Sequence, residues 1–524
     1  MLGAKIVTKT IKAVSISKFE KMLEFAEETQ IQTLRRIISY NKNTLFGKAH
    51  NFGEIHTIRD FQHNVPIYNY YKLRPYIRQI LSGKTNVLFS DRQMWWVKSS
   101  GTTGDPKLYP ISESRITGDQ KIGTRMVLSY LLWDKENIKI LKGKMLSFTA
   151  AAIMEYINNI PVGYISGVMA ATQSRLIKHL MAIPQYVINI TDPSKKYYET
   201  LVHALKNNIT LISGASSFIV KALKFLFDPE MMSKVLDDPR VKVSQKANIS
   251  ILYSNAKNYK VKDIWNNLRL IAWSAVDIKP YKKWFNQYVG DVDFFEFYTG
   301  SEGMYAFQLY ENENLVLNVD KYFFEFVPED EWFNKQHPRR LTISEVKKGH
   351  RYVLLVTSSS GLYSYTIDDV IEVVKTDPVM IRVIGKVGRV LNIATEKITE
   401  KEINMALNIA AERTNSIIGE YIVVPKIANG QGRYQFYINF QKHPPDISLF
   451  EKALDQALKE INYVYQLVRD EDILGKPNIQ LVSDIFFNTI EKRLLENGKP
   501  LGQYKPLHIE EVEPFDLFMR DVNA

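Results

Sequence analysis

Chemically useful side chains are most concentrated in Ser99-Ser100-Gly101-Thr102-Thr103-Gly104-Asp105-Pro106-Lys107. Hydroxyls and successive backbone N–H groups here can converge on phosphate oxygens. Gly101 and Gly104 let the backbone curl close to a ligand, and Lys107 adds charge. This is not the common P-loop, which needs Gly, four residues and then Gly-Lys-Ser/Thr. At Gly83-Lys84-Thr85, Arg78 stands where the leading glycine should be. The alternative is a solvated turn, because Ser, Thr and Gly collect in loops. A second patch, Phe297-Tyr298-Thr299-Gly300-Ser301-Glu302-Gly303, closes the aromatic strand Phe294–Phe297 with a glycine-flanked turn. Tyr298 could stack a nucleobase and Glu302 hold magnesium; the bland alternative is a β-turn with a solvated carboxylate. A third patch, Leu362-Tyr363-Ser364-Tyr365-Thr366-Ile367-Asp368-Asp369-Val370, places two acids between strands, where one could accept both ribose hydroxyls. Acid pairs in loops are also commonly solvated.

These patches need a scaffold. Met94-Trp95-Trp96-Val97, just before the hydroxyl-rich stretch, reads as a buried strand. Ser17-Lys18-Phe19-Glu20 has the form of a capping box opening an N-terminal helix through Met22, Leu23, Leu34, Ile37 and Ile38. Onward to about residue 390, strand-like runs alternate with helical patterns. Thr210–Ser213 precedes the helix-like 218–227, and Leu268–Trp273 precedes 280–288. Alternation of this kind predicts an α/β domain over residues 1–390. Beyond Gly388-Arg389 the texture changes. Thr399-Glu400-Lys401-Glu402 is a second capping box, predicting a helix to about Arg413. Strands are expected at Tyr421–Val424, Tyr434–Phe440 and Ile479–Val482, with a helix from about Leu449 to Val468. The expectation for 391–524 is a smaller α+β domain of ferredoxin-like type, joined by a short connection at 388–392 that suits a hinge.

Composition narrows the chemistry. At 524 residues the chain should form two or more domains, and 45% hydrophobic content with 26 Phe and 29 Tyr supports a large core rather than disorder. Cysteine is absent, which excludes disulfides, thiolate metal sites and a covalent enzyme thioester. The nine histidines form no His-Glu-x-x-His pair, against a zinc enzyme, and no Gly-x-Ser-x-Gly elbow supports a hydrolase. The start, Met1–Ile6, lacks the apolar core of a secretion signal, and no apolar stretch approaches the ~20 residues of a membrane span. A cytoplasmic location without a membrane partner is therefore expected. The net charge of +11 is dispersed along the chain, so no nucleic-acid partner is expected.

In order and spacing, the three patches resemble the nucleotide motifs of the plant auxin-responsive acyl-acid amido synthetases. That family is a branch of the adenylate-forming superfamily of acyl-CoA synthetases and luciferases. Its first motif, Ser-Ser-Gly-Thr-Thr then Gly-x-Pro-Lys, is matched at Ser99–Lys107, and its second, Tyr-x-x-Ser-Glu, at Tyr298–Glu302. The third, Tyr-Arg-x-Gly-Asp, is matched at Tyr365 and Asp369, with Thr366 and Asp368 replacing the arginine and glycine. Losing the arginine removes a cation near the phosphates or a structural pair. Asp368 implies a backbone that is not left-handed there, or an aspartate that tolerates it. Gly388-Arg389 sits where the superfamily has its hinge, and Gly502-Gln503-Tyr504-Lys505-Pro506 resembles the family's closing Gln-Tyr-Lys segment.

The resemblance implies a large, multi-layered α/β domain followed by a mobile α+β domain. It also implies an ATP- and Mg²⁺-dependent ligase that makes an acyl-AMP from a small carboxylic acid and transfers the acyl group to an amino acid. On this reading Ser99, Ser100, Thr102 and Thr103 hold phosphates and Lys107 adds charge. Tyr298, Thr299 and Ser301 belong to the nucleotide site, Ser274-Ala275 lie beside adenine, and Asp369 takes the ribose. Glu302 holds Mg²⁺, and Lys505 reaches the α-phosphate when the C-terminal domain turns about the segment containing Arg389. Gly214-Ala215-Ser216-Ser217-Phe218 and Met304-Tyr305 are acyl-pocket candidates by position alone, and core packing is the more ordinary role for Phe218. Two alternatives stay open: an acyl-CoA ligase of the same superfamily, and a nucleotide-binding pseudoenzyme, suggested by Thr366 and Asp368.

Overall fold

The computed structural model describes residues 16–98, 107–241, 259–274, 284–311, 313–387, 390–391, 398–428, 431–470 and 474–496. They fall into two compact units, one drawn from 1–275 and 291–384, the other from 276–290 and 385–524. Among the described residues no helix is long and apolar enough to cross a membrane.

The larger unit is built on a mixed ten-stranded sheet. In spatial order its strands are Phe323–Pro328, Arg351–Thr357, Tyr365–Thr376, Val379–Lys386, Leu315–Leu317, Gly303–Gln308, Asp293–Gly300, Leu270–Ser274, Ile209–Ala215 and Lys144–Ser147. The last four run parallel, and every residue of Leu270–Ser274 is buried, as both faces of a covered parallel strand should be. Helix Ser216–Lys224 follows Ile209–Ala215, so the expected strand–helix alternation is present here. Asp293–Gly300 then turns into Gly303–Gln308 through a hairpin in which Gly300 lies opposite Gly303. A second sheet, in the order Leu108–Ser112, Gln93–Lys98, Ile160–Gly163, Glu155–Ile157, contains the expected Met94–Val97 strand. Lys98 is paired with Leu108, so the residues flanking the hydroxyl-rich stretch sit side by side on adjacent strands.

The N-terminal reading needs correction. Two helices, Ser17–Glu24 and Ala26–Asn41, replace one, with the break at Phe25 (φ −104°, ψ 51°). Ser17 is not a cap, because the backbone at Ile16 is already helical, and Ile16 is buried in one cluster with Phe19 and Leu23. The second helix docks through a buried amide. Gln30 Nε2 donates to the carbonyls of Val319 and Tyr322, both at 2.7 Å, and Gln30 Oε1 accepts from Phe324 N at 2.7 Å. These bonds fix the backbone on which Tyr322 stands.

In the smaller unit the Thr399 capping box is formed. Glu402 N donates to Thr399 Oγ1 (3.2 Å) and Thr399 N to Glu402 Oε2 (2.7 Å), opening helix Glu400–Arg413. Strands Ile417–Ala428, Gln431–Lys442 and Asn478–Leu481 form one sheet, the last parallel to its neighbour. A ferredoxin-like sheet would set another strand between those two parallel ones, so the described part is α+β without that order. The helix expected from about Leu449 to Val468 is two, Ile447–Ile461 and Tyr463–Asp470. Asn462 breaks it by turning extended (φ −124°, ψ 107°), and its side-chain oxygen accepts from Tyr465 N at 2.9 Å to cap the second helix.

Candidate active site

Ser274 and Gly300 end two neighbouring parallel strands of the large sheet. Carboxyl ends of parallel strands are where α/β sheets place ligands. Ser274 is buried at the last strand position. The hairpin after Gly300 presents Ser301 and the half-buried Glu302. A Cβ at Gly300 would come within 2.9 Å of Glu302 Oε2, so a side chain there would push the Glu302 carboxylate aside. Thr299 uses its hydroxyl inside the turn, donating to the Gly303 carbonyl at 3.0 Å.

Tyr298 is buried, its ring 5.0 Å from that of Tyr305 and its hydroxyl donating to Asp369 Oδ2. The second and third patches therefore touch. Asp368 and Asp369 lie inside strand Tyr365–Thr376, not between strands as the sequence suggested. Between the pairs Val353–Val370 and Leu355–Thr366 the register slips, so residues 367–369 form a bulge opposite Leu354. Bulges of this kind bend a strand and redirect a side chain. Asp368 is left-handed at φ 58°, so aspartate occupies the conformation that a glycine would adopt freely.

The first patch joins through its exit. Lys107 Nζ lies 5.7 Å from the centre of the Tyr70 ring, and Leu108 N donates to the Tyr70 hydroxyl at 2.9 Å. Next along, the Tyr109 and Tyr365 hydroxyls share a hydrogen bond of 2.9 Å. Burial, then the charge of Glu302, pushes the Tyr109, Tyr305 and Tyr365 phenols upward; burial and Asp369 do the same to Tyr298. Four neutral phenols thus feel the charge of two carboxylates, a negative setting that favours a cation. Among the described residues no three His, Cys, Asp or Glu side chains gather as a metal cage. A single carboxylate such as Glu302 is what Mg²⁺ commonly uses when substrate phosphates and water supply the other ligands.

Sequence reasoning missed the layer behind this turn. Arg115 is buried, its Nε 3.4 Å from Asp119 Oδ2, and Asp119 Oδ1 accepts from the Tyr322 hydroxyl at 3.2 Å. Tyr322 also accepts from Met304 N at 2.9 Å, just past the hairpin. Burial opposes the Arg115 charge, and Asp119, Tyr322, Tyr305 and Glu302 outweigh it, so the guanidinium is held charged. Arg115 Nη2 and the Tyr305 hydroxyl are buried with no hydrogen-bond partner among the described residues. Met304 and Tyr305 themselves are fully packed. Only spatial proximity links these residues, because Arg115 and Tyr322 belong to no motif.

Ser99, Ser100, Thr102, Thr103, Ala275, Arg389 and Lys505 lie outside the described residues, as do the side chains of 215–218. Tyr109, Tyr298, Glu302, Tyr365 and Asp369 are brought together, and Lys107 lies over Tyr70, whose ring packs against Tyr109.

Known proteins resemble this chain over most of its length. Residues 15–294 match the GH3 family N-terminal domain, 315–386 its central domain and 401–512 its C-terminal domain. A jasmonoyl–L-amino acid synthetase of Nicotiana attenuata, JAR4, is 22% identical over 94% of this chain and 92% of its own. An indole-3-acetic acid-amido synthetase of Arabidopsis thaliana, GH3.3, is 23% identical over 95% and 91%. Among solved structures, the GH3.15 acyl acid amido synthetase in complex with 2,4-DB superposes with a TM-score of 0.83 at 19% identity, covering 97% of this chain and 96% of that one. A 2-hydroxyisobutyryl-CoA ligase shares the fold at a TM-score of 0.59 and 12% identity, over 94% and 92%. With the family's N-terminal domain spanning more than half its length and the other two following in order, this chain belongs to the GH3 family.

Proposed function

We propose that this chain uses ATP to activate a small carboxylic acid as acyl-AMP and then joins the acyl group to an amino acid. The observation that supports the reading is the pair of contacts, Tyr298 to Asp369 and Tyr109 to Tyr365, which join the second and third motifs and bring the strand that follows the first motif against the third. A carboxylate is a poor electrophile. Its oxygen attacks the α-phosphorus of ATP, pyrophosphate leaves, and the mixed anhydride is open to attack at carbon. The amine then forms the C–N bond and AMP departs. Adenylation of this kind is mainly positioning and charge neutralisation.

In this proposal Ser99, Ser100, Thr102 and Thr103 bind the phosphates and Lys107 offsets their charge. Asp369, oriented by Tyr298, accepts the ribose hydroxyls; Ser274 and Ala275 border adenine. Thr299 and Ser301 shape the turn that presents Glu302. Glu302 would hold Mg²⁺, which supplies charge neutralisation at the phosphates when bound. Residues 391–524 carry Lys505 to the α-phosphate for adenylation and away again for amide formation, turning about Gly388-Arg389.

The test is product identification by mass spectrometry after incubation with ATP, Mg²⁺, a panel of carboxylic acids and either an amino-acid mixture or coenzyme A. N-acyl amino acid with release of AMP is expected. Thioester without amide would reassign the chain as an acyl-CoA ligase; ATP binding without any product would make it a pseudoenzyme.

A further inference from the structure

The third motif departs from its family pattern at two positions, and those two side chains are bonded to each other. Thr366, buried in the strand, donates from Oγ1 to Asp368 Oδ1 at 3.0 Å, and the same Oγ1 accepts from Asp368 N at 3.1 Å. Both bonds converge on the residue held at φ 58°. A left-handed backbone disfavours a residue with a Cβ, and local hydrogen bonding by a short polar side chain is the usual way that aspartate accommodates it. Thr366 is itself fixed, its N donating to Tyr68 O at 2.8 Å. One residue beyond Asp368, the Asp369 carboxylate meets the Tyr298 hydroxyl.

We propose that Thr366 is a positioning residue for the nucleotide site: its hydroxyl latches Asp368 into the left-handed bulge that turns Asp369 toward Tyr298. The latch does the work that glycine's freedom would otherwise do. It also engages the Asp368 carboxylate, leaving Asp369 as the acid directed at the ribose. This inference rests on the reading of Asp369 as the ribose ligand.

A four-member cycle tests it: wild type, Thr366→Val, Asp368→Gly and the double variant. Valine keeps the shape of threonine and puts a methyl group in place of the hydroxyl. Each protein is measured for ATP KM and kcat in acid-dependent pyrophosphate exchange and for its melting temperature. Thr366→Val should raise the ATP KM about tenfold, the scale of losing one buried hydrogen-bond pair, with kcat little changed. A glycine in place of Asp368 needs no latch, so the double variant should return to within about threefold of wild type in KM and regain the lost melting temperature. A neutral Thr366→Val, or an equal loss from Thr366→Val in the wild-type and Asp368→Gly backgrounds, overturns the latch. Asp369→Ala separates the two ideas: an unchanged ATP KM there removes the ribose reading, and recovery of melting temperature across the cycle still decides the latch.

Discussion

The Tyr298 hydroxyl donates to the Asp369 carboxylate, so the second and third motifs, 71 residues apart in the chain, are coupled through one charged hydrogen bond. Tyr298 is buried, and Tyr298→Phe would leave that carboxylate without a donor it now has. Such a loss is worth about 1–3 kcal/mol. The expected result is a rise of about five- to 150-fold in ATP KM with the fold intact by circular dichroism. Unchanged KM would show that the contact does not orient the nucleotide acid.

The hairpin that presents Glu302 depends on Gly303. A Cβ at 303 would lie 2.7 Å from Tyr305 Cε1 and 2.8 Å from Tyr322 Cε1, and both rings are buried. Gly303→Ala should therefore cost about 1–3 kcal/mol of stability through overpacking. Gly53→Ala, where nothing lies within 4 Å of the new methyl, is the matched control and should melt like wild type. Equal melting temperatures for the two variants would contradict this packing.

A buried ion pair contributes to the acid sensitivity of the larger unit. Arg125 binds Asp320 in a bidentate pair at 3.0 and 2.9 Å, with its guanidinium 3.7 Å above the Phe19 ring. Burial pushes the Asp320 carboxyl up, but Arg125 and then Lys321 outweigh it and hold the group at about 2, below its ordinary 3.8. A depressed carboxyl stabilises the fold above its unfolded value, and that stability is lost as pH falls toward the folded one. Wild type should exceed Asp320→Asn by about 2 kcal/mol in urea unfolding at pH 7, with the gap shrinking between pH 4 and 2. A gap constant with pH would remove the pair as its source.

The motifs themselves, the Gln93–Lys98 strand and the Thr399 cap were legible in the sequence, because each rests on neighbours within a few residues. Ser17 was misleading for the same reason: a Ser-x-x-Glu pattern says nothing about whether Ile16 is already helical. The left-handed backbone at Asp368 came from strand pairing with residues 353–355, which local pattern does not carry. Arg115, Asp119 and Tyr322 were invisible as a group, since two are helix residues and the third follows a turn 203 positions beyond Asp119.

On the proposed reading, Lys505 should distinguish the two half-reactions. Only adenylation builds charge at phosphorus, so a lysine directed there should matter in that step alone. Lys505→Ala should slow acyl-AMP formation about 10²-fold or more. Given preformed acyl-AMP, the same variant should form amide at nearly the wild-type rate. Equal losses in both steps would assign Lys505 a structural role and remove the case for domain alternation.

The most direct test of the proposed activity is acid-dependent exchange of labelled pyrophosphate into ATP, measured across a panel of small carboxylic acids with no amine present. Exchange should require one class of acid, need Mg²⁺, and collapse in the Thr103→Ala/Lys107→Ala double variant while its melting temperature holds. ATP binding with no exchange for any acid, or exchange undiminished in that double variant, would contradict it.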